Sequence, residues 1–212
     1  MLNLMRRGYM PGGGMLSPDK KTFMLAIPKN ASTYVTNVLR ANDWSYSDIM
    51  HIVNAGHEHI KCVVLLRDPT DRWVSGFATY CASYVLGYGY GSEYFVRDYN
   101  DLTERIIFDN LIFDDHTEPQ TTFVNQLNNQ FDKQFVLIKG GRDKLIKNLS
   151  DVVGQELTVP FVDANASEDT YDVKNIADFM RGRITAPLQT KIFDRYYQDY
   201  KMLTQVLIHE PR

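Results

Sequence analysis

The sequence predicts an α/β protein with a central parallel sheet flanked by helices. Two apolar runs carry that expectation, Phe23–Ile27 and Cys62–Leu66, each of the length of a buried strand and each followed by a helical pattern. A third run, Gln134–Ile138, repeats the plan. Buried strands alternating with helices are the signature of a parallel sheet covered on both faces. Ligands of such sheets bind at the carboxyl ends of the strands, which is where Lys29 and Arg67 fall.

With 212 residues, the chain supports one domain with a real core. Its 44% hydrophobic and 23% charged content is that of a globular protein, and a formal charge of -3 argues against nucleic-acid binding. The organisation expected is a flexible arm over residues 1–20, rich in glycine and proline, followed by a single domain over 21–212. Met1–Gly14 lacks the apolar core of a signal peptide, and no run approaches the ~20 apolar residues of a membrane span. A cytoplasmic protein with no membrane partner is the expectation. Cys62 and Cys81 do not form a disulfide framework, which fits a reducing compartment.

Taken in order, Phe23–Ile27 is stopped by Pro28, which has no amide hydrogen to give to a ladder. After Lys29-Asn30-Ala31-Ser32-Thr33 comes a helix to about Ala41, with Tyr34, Val35, Val38 and Leu39 on one face. A strand passing through such a loop into a helix offers free backbone amides and the positive end of a helix dipole to an anion. Ser32 and Thr33 add hydroxyls and Lys29 a charge. The loop is not a Walker A sequence, because lysine comes first and no glycine is present.

Asp48–Val53 reads as a short strand, followed by a loop at 54–56. Lys61–Arg67 is the second strand, and the helix after Pro69 places Trp73, Val74, Phe77 and Tyr80 in the core. Arg72 is expected to pair locally with Asp68. Ser83–Tyr99 alternates Tyr with Gly and suits either an acceptor pocket or a surface excursion. Asp101–Phe113 reads as an amphipathic helix. Lys139-Gly140-Gly141-Arg142 turns the third strand into a helix ending near Val153, and Lys139 and Arg142 extend a basic field there. Residues 156–172 read as loop, and a last long helix runs from about Pro187 to Leu207.

Two of these stretches, IPKNAST and LLRDPTDRWVSG, resemble in order and context the nucleotide motifs of sulfotransferases that use 3′-phosphoadenosine 5′-phosphosulfate (PAPS). DDHTEPQT at 114–121 is similar to a segment of the carbohydrate (Golgi-type) branch of that family, and IFDRYYQDYKML at 192–203 to its closing helix. The resemblance spans roughly residues 22–205. It implies a P-loop-like sulfotransferase fold and PAPS as co-substrate, with a hydroxyl acceptor that is a small molecule or glycan. The chain lacks the N-terminal anchor of the animal Golgi enzymes, which suggests a bacterial or viral relative.

The resemblance also assigns roles. Lys29 would meet the leaving phosphate oxygen. Asn30, Ala31, Ser32, Thr33 and Tyr34 would wrap the 5′-phosphosulfate, and Arg67 and Ser75 would bind the 3′-phosphate. A general base is required, and His51, His57, Glu58, His59 and His116 are candidates; histidine is favoured for its near-neutral pKa, and His57 and His59, just before a strand, are discounted, so the choice falls between His51 and His116. No metal is implied, since lysine and amide donors cover the charge. The competing readings are a P-loop-like kinase and a nucleotide-binding relative without catalysis.

Overall fold

The computed structural model describes residues 12–56, 59–82, 111–160 and 171–209. These divide into two compact units. The first comprises the described parts of 11–67, 120–164 and 202–212, and the second those of 68–119 and 165–201.

The first unit is built on a five-stranded mixed sheet. Its strands are β1 (Gly13–Leu16), β2 (Thr22–Leu25), β3 (Ser45–Asp48), β4 (Ile60–Leu66) and β5 (Phe131–Leu137), in the order β3-β1-β2-β4-β5. β2, β4 and β5 are parallel, as expected, while β1 runs antiparallel to both β2 and β3. The expectation of a wholly parallel sheet is thereby corrected.

So is the expectation that residues up to 20 form a flexible arm, because Gly13–Leu16 is a fully buried strand. The glycines that suggest a loop have a packing reason. A Cβ on Gly14 would stand 1.9 Å from the Met24 carbonyl oxygen, and one on Gly13 2.1 Å from the Tyr46 hydroxyl. Glycine inside a strand often marks such close approach. A tight turn joins β1 to β2, with the Ser17 hydroxyl accepting from Thr22 N at 2.9 Å and donating to Asp19 at 2.6 Å.

Alternation along β2 and β4 sorts side chains to the two faces. Phe23, Leu25, Cys62, Val64 and Leu66 pack on one, with Ile49 and Ile52 of α2 (Ile49–Asn54), Phe123 of α4 (Gln120–Val124), and Met202, Leu203 and Val206. Met24, Val63, Leu65 and Val136 pack on the other. There they are covered by Val35, Val38 and Leu39 of α1 (Ser32–Ala41) and by Leu145, Ile146 and Leu149 of α5 (Arg142–Val153).

Asp48–Val53 is not a strand. β3 ends at Asp48, whose carboxylate accepts the His51 amide at 2.5 Å and so caps α2. β5 begins three residues before the apolar run, at Phe131 opposite Ile60. Its polar start, Asp132-Lys133-Gln134, suits an outer strand.

The second unit is helical. α3 (Pro69–Tyr80) opens on Asp68, which accepts the Asp71 amide at 3.0 Å, with proline in its first turn. Trp73, Val74, Phe77 and Tyr80 are core residues as expected, with Trp73 stacked on Phe77 at 5.1 Å. Around them pack Phe113, Ile176 and Met180 of α6 (Tyr171–Arg181), Leu188 and Ile192 of α7 (Ala186–Arg195), and Tyr196. The long terminal helix expected from 187 to 207 is two helices, α7 and α8 (Tyr197–His209), separated at Tyr196. Tyr196 is buried and donates its hydroxyl to the Thr117 carbonyl; its φ of -104° and ψ of 21° mark the break, although its N–H and carbonyl keep their bonds to Ile192 and Tyr200.

The helix expected over 101–113 lies mostly outside the described residues, but Leu111–Phe113 are buried and not helical. The Tyr/Gly stretch 83–99 lies outside them entirely. Among the described residues, no helix is long and apolar enough to cross a membrane.

Candidate anion site

β2 and β4 are parallel neighbours, so their carboxyl ends deliver Lys29 and Arg67 side by side in the sheet unit. The loop after β2 has an unusual backbone. Lys29 has φ 66° and Ala31 φ 55°, both left-handed, while Asn30 between them does not. Neither is glycine, and a left-handed residue with a Cβ costs about 1–2 kcal/mol. Alternation of this kind turns successive amides toward one side, a concave nest for an anion; the Asn30 amide is given to the Ile27 carbonyl at 3.1 Å, which leaves the Ala31 amide and those that open α1. No side chain caps α1, so its first amides and dipole are left to serve the same concavity.

Of the residues expected to wrap a phosphosulfate, Lys29, Ala31 and Ser32 are half-buried and Thr33 exposed, whereas Asn30 and Tyr34 are buried. The Tyr34 ring instead carries the Arg142 guanidinium, 5.1 Å from its centroid. Arg142 therefore joins the loop through an aromatic face. Lys139 is exposed at the end of β5.

Asn30 has turned inward. Its Nδ2 donates at 2.6 Å both to the Leu65 carbonyl and to Gln120 Oε1, and its Oδ1 is buried without a hydrogen-bond partner among the described residues. Gln120 in turn binds the Arg67 backbone twice, accepting from N and donating to O at 3.0 Å each. The Arg67 guanidinium donates to the Lys29 carbonyl at 3.1 Å. The two strand ends thus share one polar network.

The remaining expected residues distribute differently. His51 is exposed on α2 in the sheet unit. His57 and Glu58 lie outside the described residues, and His59 adopts φ 55° beside them. Ser75 and His116 belong to the helical unit. Ser75 is 1% exposed, so in this conformation its hydroxyl does not face solvent as a 3′-phosphate ligand would require.

His116 is held by carboxylates. Its Nδ1 lies 2.9 Å from Asp114 Oδ2 and 3.1 Å from Asp115 Oδ1. Burial favours the neutral ring, but the two carboxylates outweigh it and raise the pKa to about 9. In this conformation the two carboxylates therefore favour the imidazolium form of His116 near neutral pH. Among the described residues, Asp114, Asp115 and His116 are the group whose ligand atoms converge, within 4.8 Å, and here they bond one another.

Arg72 is not the surface partner of Asp68. It is 1% exposed and donates to the Glu118 and Asp115 carbonyls, so it anchors the 114–118 loop from beneath. Gly76 lets the same loop approach α3, since a Cβ there would meet the His116 carbonyl oxygen at 2.2 Å. The roles of Arg72, Gly76 and Gln120 are tertiary, and the spacing of the sequence does not signal them. The carboxylates beside His116, by contrast, are its chain neighbours and are visible in the sequence.

No family model, curated protein or solved structure matches the chain.

Proposed function

We propose that this chain is a PAPS-dependent sulfotransferase with a P-loop-like fold, moving a sulfuryl group to a hydroxyl, with a carbohydrate as acceptor. The observation that carries the reading is the nest at Lys29–Ala31, which opens onto an uncapped helix and is bonded to Arg67 from the adjacent parallel strand. Two cationic side chains at neighbouring strand ends suit a ligand with an anionic group at each end. The sequence resemblance supplies the identity of that ligand.

In this reading the acceptor oxygen attacks sulfur in line as the bond from sulfur to the bridging phosphate oxygen breaks. Lys29 and the nest amides neutralise the charge developing on the leaving phosphate. Arg67 holds the 3′-phosphate by charge-assisted hydrogen bonds. The base is one of the two histidines, His51, which is exposed, or His116, which takes the acceptor proton once its own proton is held by the Asp114 and Asp115 carboxylates.

The test is calorimetric titration with 3′-phosphoadenosine 5′-phosphate (PAP), paired with sulfuryl transfer from labelled PAPS to a glycan panel. Saturable PAP binding and transfer that vanishes in Lys29→Ala are expected. Binding of ATP in place of PAP, or undiminished transfer by Lys29→Ala, would overturn the assignment.

A further inference from the structure

Gln120 joins two loops while belonging to neither. It is fully buried, 90 residues along the chain from Asn30 and 53 from Arg67. Its carboxamide engages Arg67 as a neighbouring strand would, taking the backbone N–H and giving a proton to the carbonyl, both at 3.0 Å. The same Oε1 receives Asn30 Nδ2, which also reaches the carboxyl end of β4 through the Leu65 carbonyl. Hydrogen bonds sheltered from water in this way fix geometry strongly. The guanidinium contact from Arg67 to the Lys29 carbonyl closes the circuit.

Resting on the adenosine bisphosphate reading above, we propose that Gln120 is a positioning residue. It holds the Lys29 nest and Arg67 at a fixed separation and so selects ligands with two phosphates over ligands with one. A 5′-monophosphate needs only the nest, and is indifferent to where Arg67 stands. A 3′,5′-bisphosphate engages both, and pays for any looseness between them.

The experiment titrates wild type, Gln120→Met and Gln120→Glu, all as the full chain, with PAP and with 5′-AMP. Methionine keeps the volume and removes every bond, while glutamate keeps the accepting oxygens but cannot donate to the Arg67 carbonyl. Gln120→Met is expected to weaken PAP roughly tenfold and 5′-AMP by less than about threefold, the size of coupling between contacting residues. Gln120→Glu should fall between wild type and Gln120→Met in the PAP-to-AMP ratio, and it decides the matter if the methionine variant does not fold. Equal losses for both nucleotides would mean a merely structural role and would overturn the proposal.

Amide hydrogen exchange at Arg67 in the ligand-free protein provides the second readout, and faster exchange is expected in Gln120→Met. Unchanged exchange would mean that Gln120 does not hold the Arg67 backbone, whatever the ligand. A wild type that binds no PAP refutes the sulfotransferase reading and the selection role together, while the exchange result still judges the hold of Gln120 on the Arg67 backbone by itself.

Discussion

Replacing Ala31 by glycine tests the feature on which the anion site rests. Ala31 sits at φ 55°, ψ 20°, in the left-handed region, one residue before α1. Its Cβ makes that conformation unfavourable by about 1–2 kcal/mol, and glycine relieves it. Glycine also loosens the unfolded chain, which takes back about 0.4–1 kcal/mol. The balance is a stabilisation of about 0.5–1 kcal/mol, equivalent to a rise in Tm of about 1–4 °C for a chain of this size. Urea denaturation followed by circular dichroism measures it, with the slope of the transition expected to stay constant. Since the nest is made of backbone, PAP affinity should be retained. A loss of stability of about 0.5 kcal/mol or more in Ala31→Gly would mean that residue 31 is not left-handed. The nest, and the anion reading with it, would then be wrong.

Other outcomes follow from the same structure. Gly76→Ala drives a methyl group into the His116 carbonyl, and a loss of about 2–3 kcal/mol is expected in denaturant titration. The His116 ring, followed by NMR, should titrate near pH 9 and not near 6.5. Because its folded pKa is raised, its contribution to stability is complete below about pH 6.5 and fades as pH climbs through about 9, by up to roughly 1.4 kcal/mol per pH unit. A His116→Gln variant should show a flatter stability profile across that window. Arg72→Met strips the loop carbonyls of Asp115 and Glu118 of a buried cationic donor, and a loss of about 3 kcal/mol is expected in thermal and urea unfolding. Burial pushes the Cys62 thiol up to about 12 and raises Cys81 as well, so both should resist a thiol reagent until the protein unfolds.

The apolar centre of the sheet was legible because strands buried on both faces must be written in apolar residues. Phe23–Ile27 and Cys62–Leu66 announce themselves for that reason. Border strands carry no such mark. β3 is Ser-Tyr-Ser-Asp with only Ser47 buried, and β5 follows Phe131 with the charged pair Asp132-Lys133. β1 was hidden more thoroughly, since its glycines answer to the Met24 carbonyl and the Tyr46 hydroxyl, neither of which is a neighbour in the sequence. At the site, lysine, arginine and the loop–helix junction were readable from local chemistry. The left-handed residues were not, because glycine, their usual sign, is missing. Arg72 was misjudged, and the burial of Ser75 was not legible, because a helical pattern of apolar residues does not tell how far burial extends around α3, which hides ten of its twelve residues.

The position of β1 has a practical consequence for handling this protein. A worker seeking a minimal folded piece would cut where the apolar pattern begins, at Thr22, and discard what looks like a tail. That cut would take away the strand to which both β2 and β3 are hydrogen-bonded. The backbone of Phe23, Met24 and Leu25 would then lie open along a new sheet border, ready to recruit another chain. Shortened forms that begin there should precipitate, while the full chain should not.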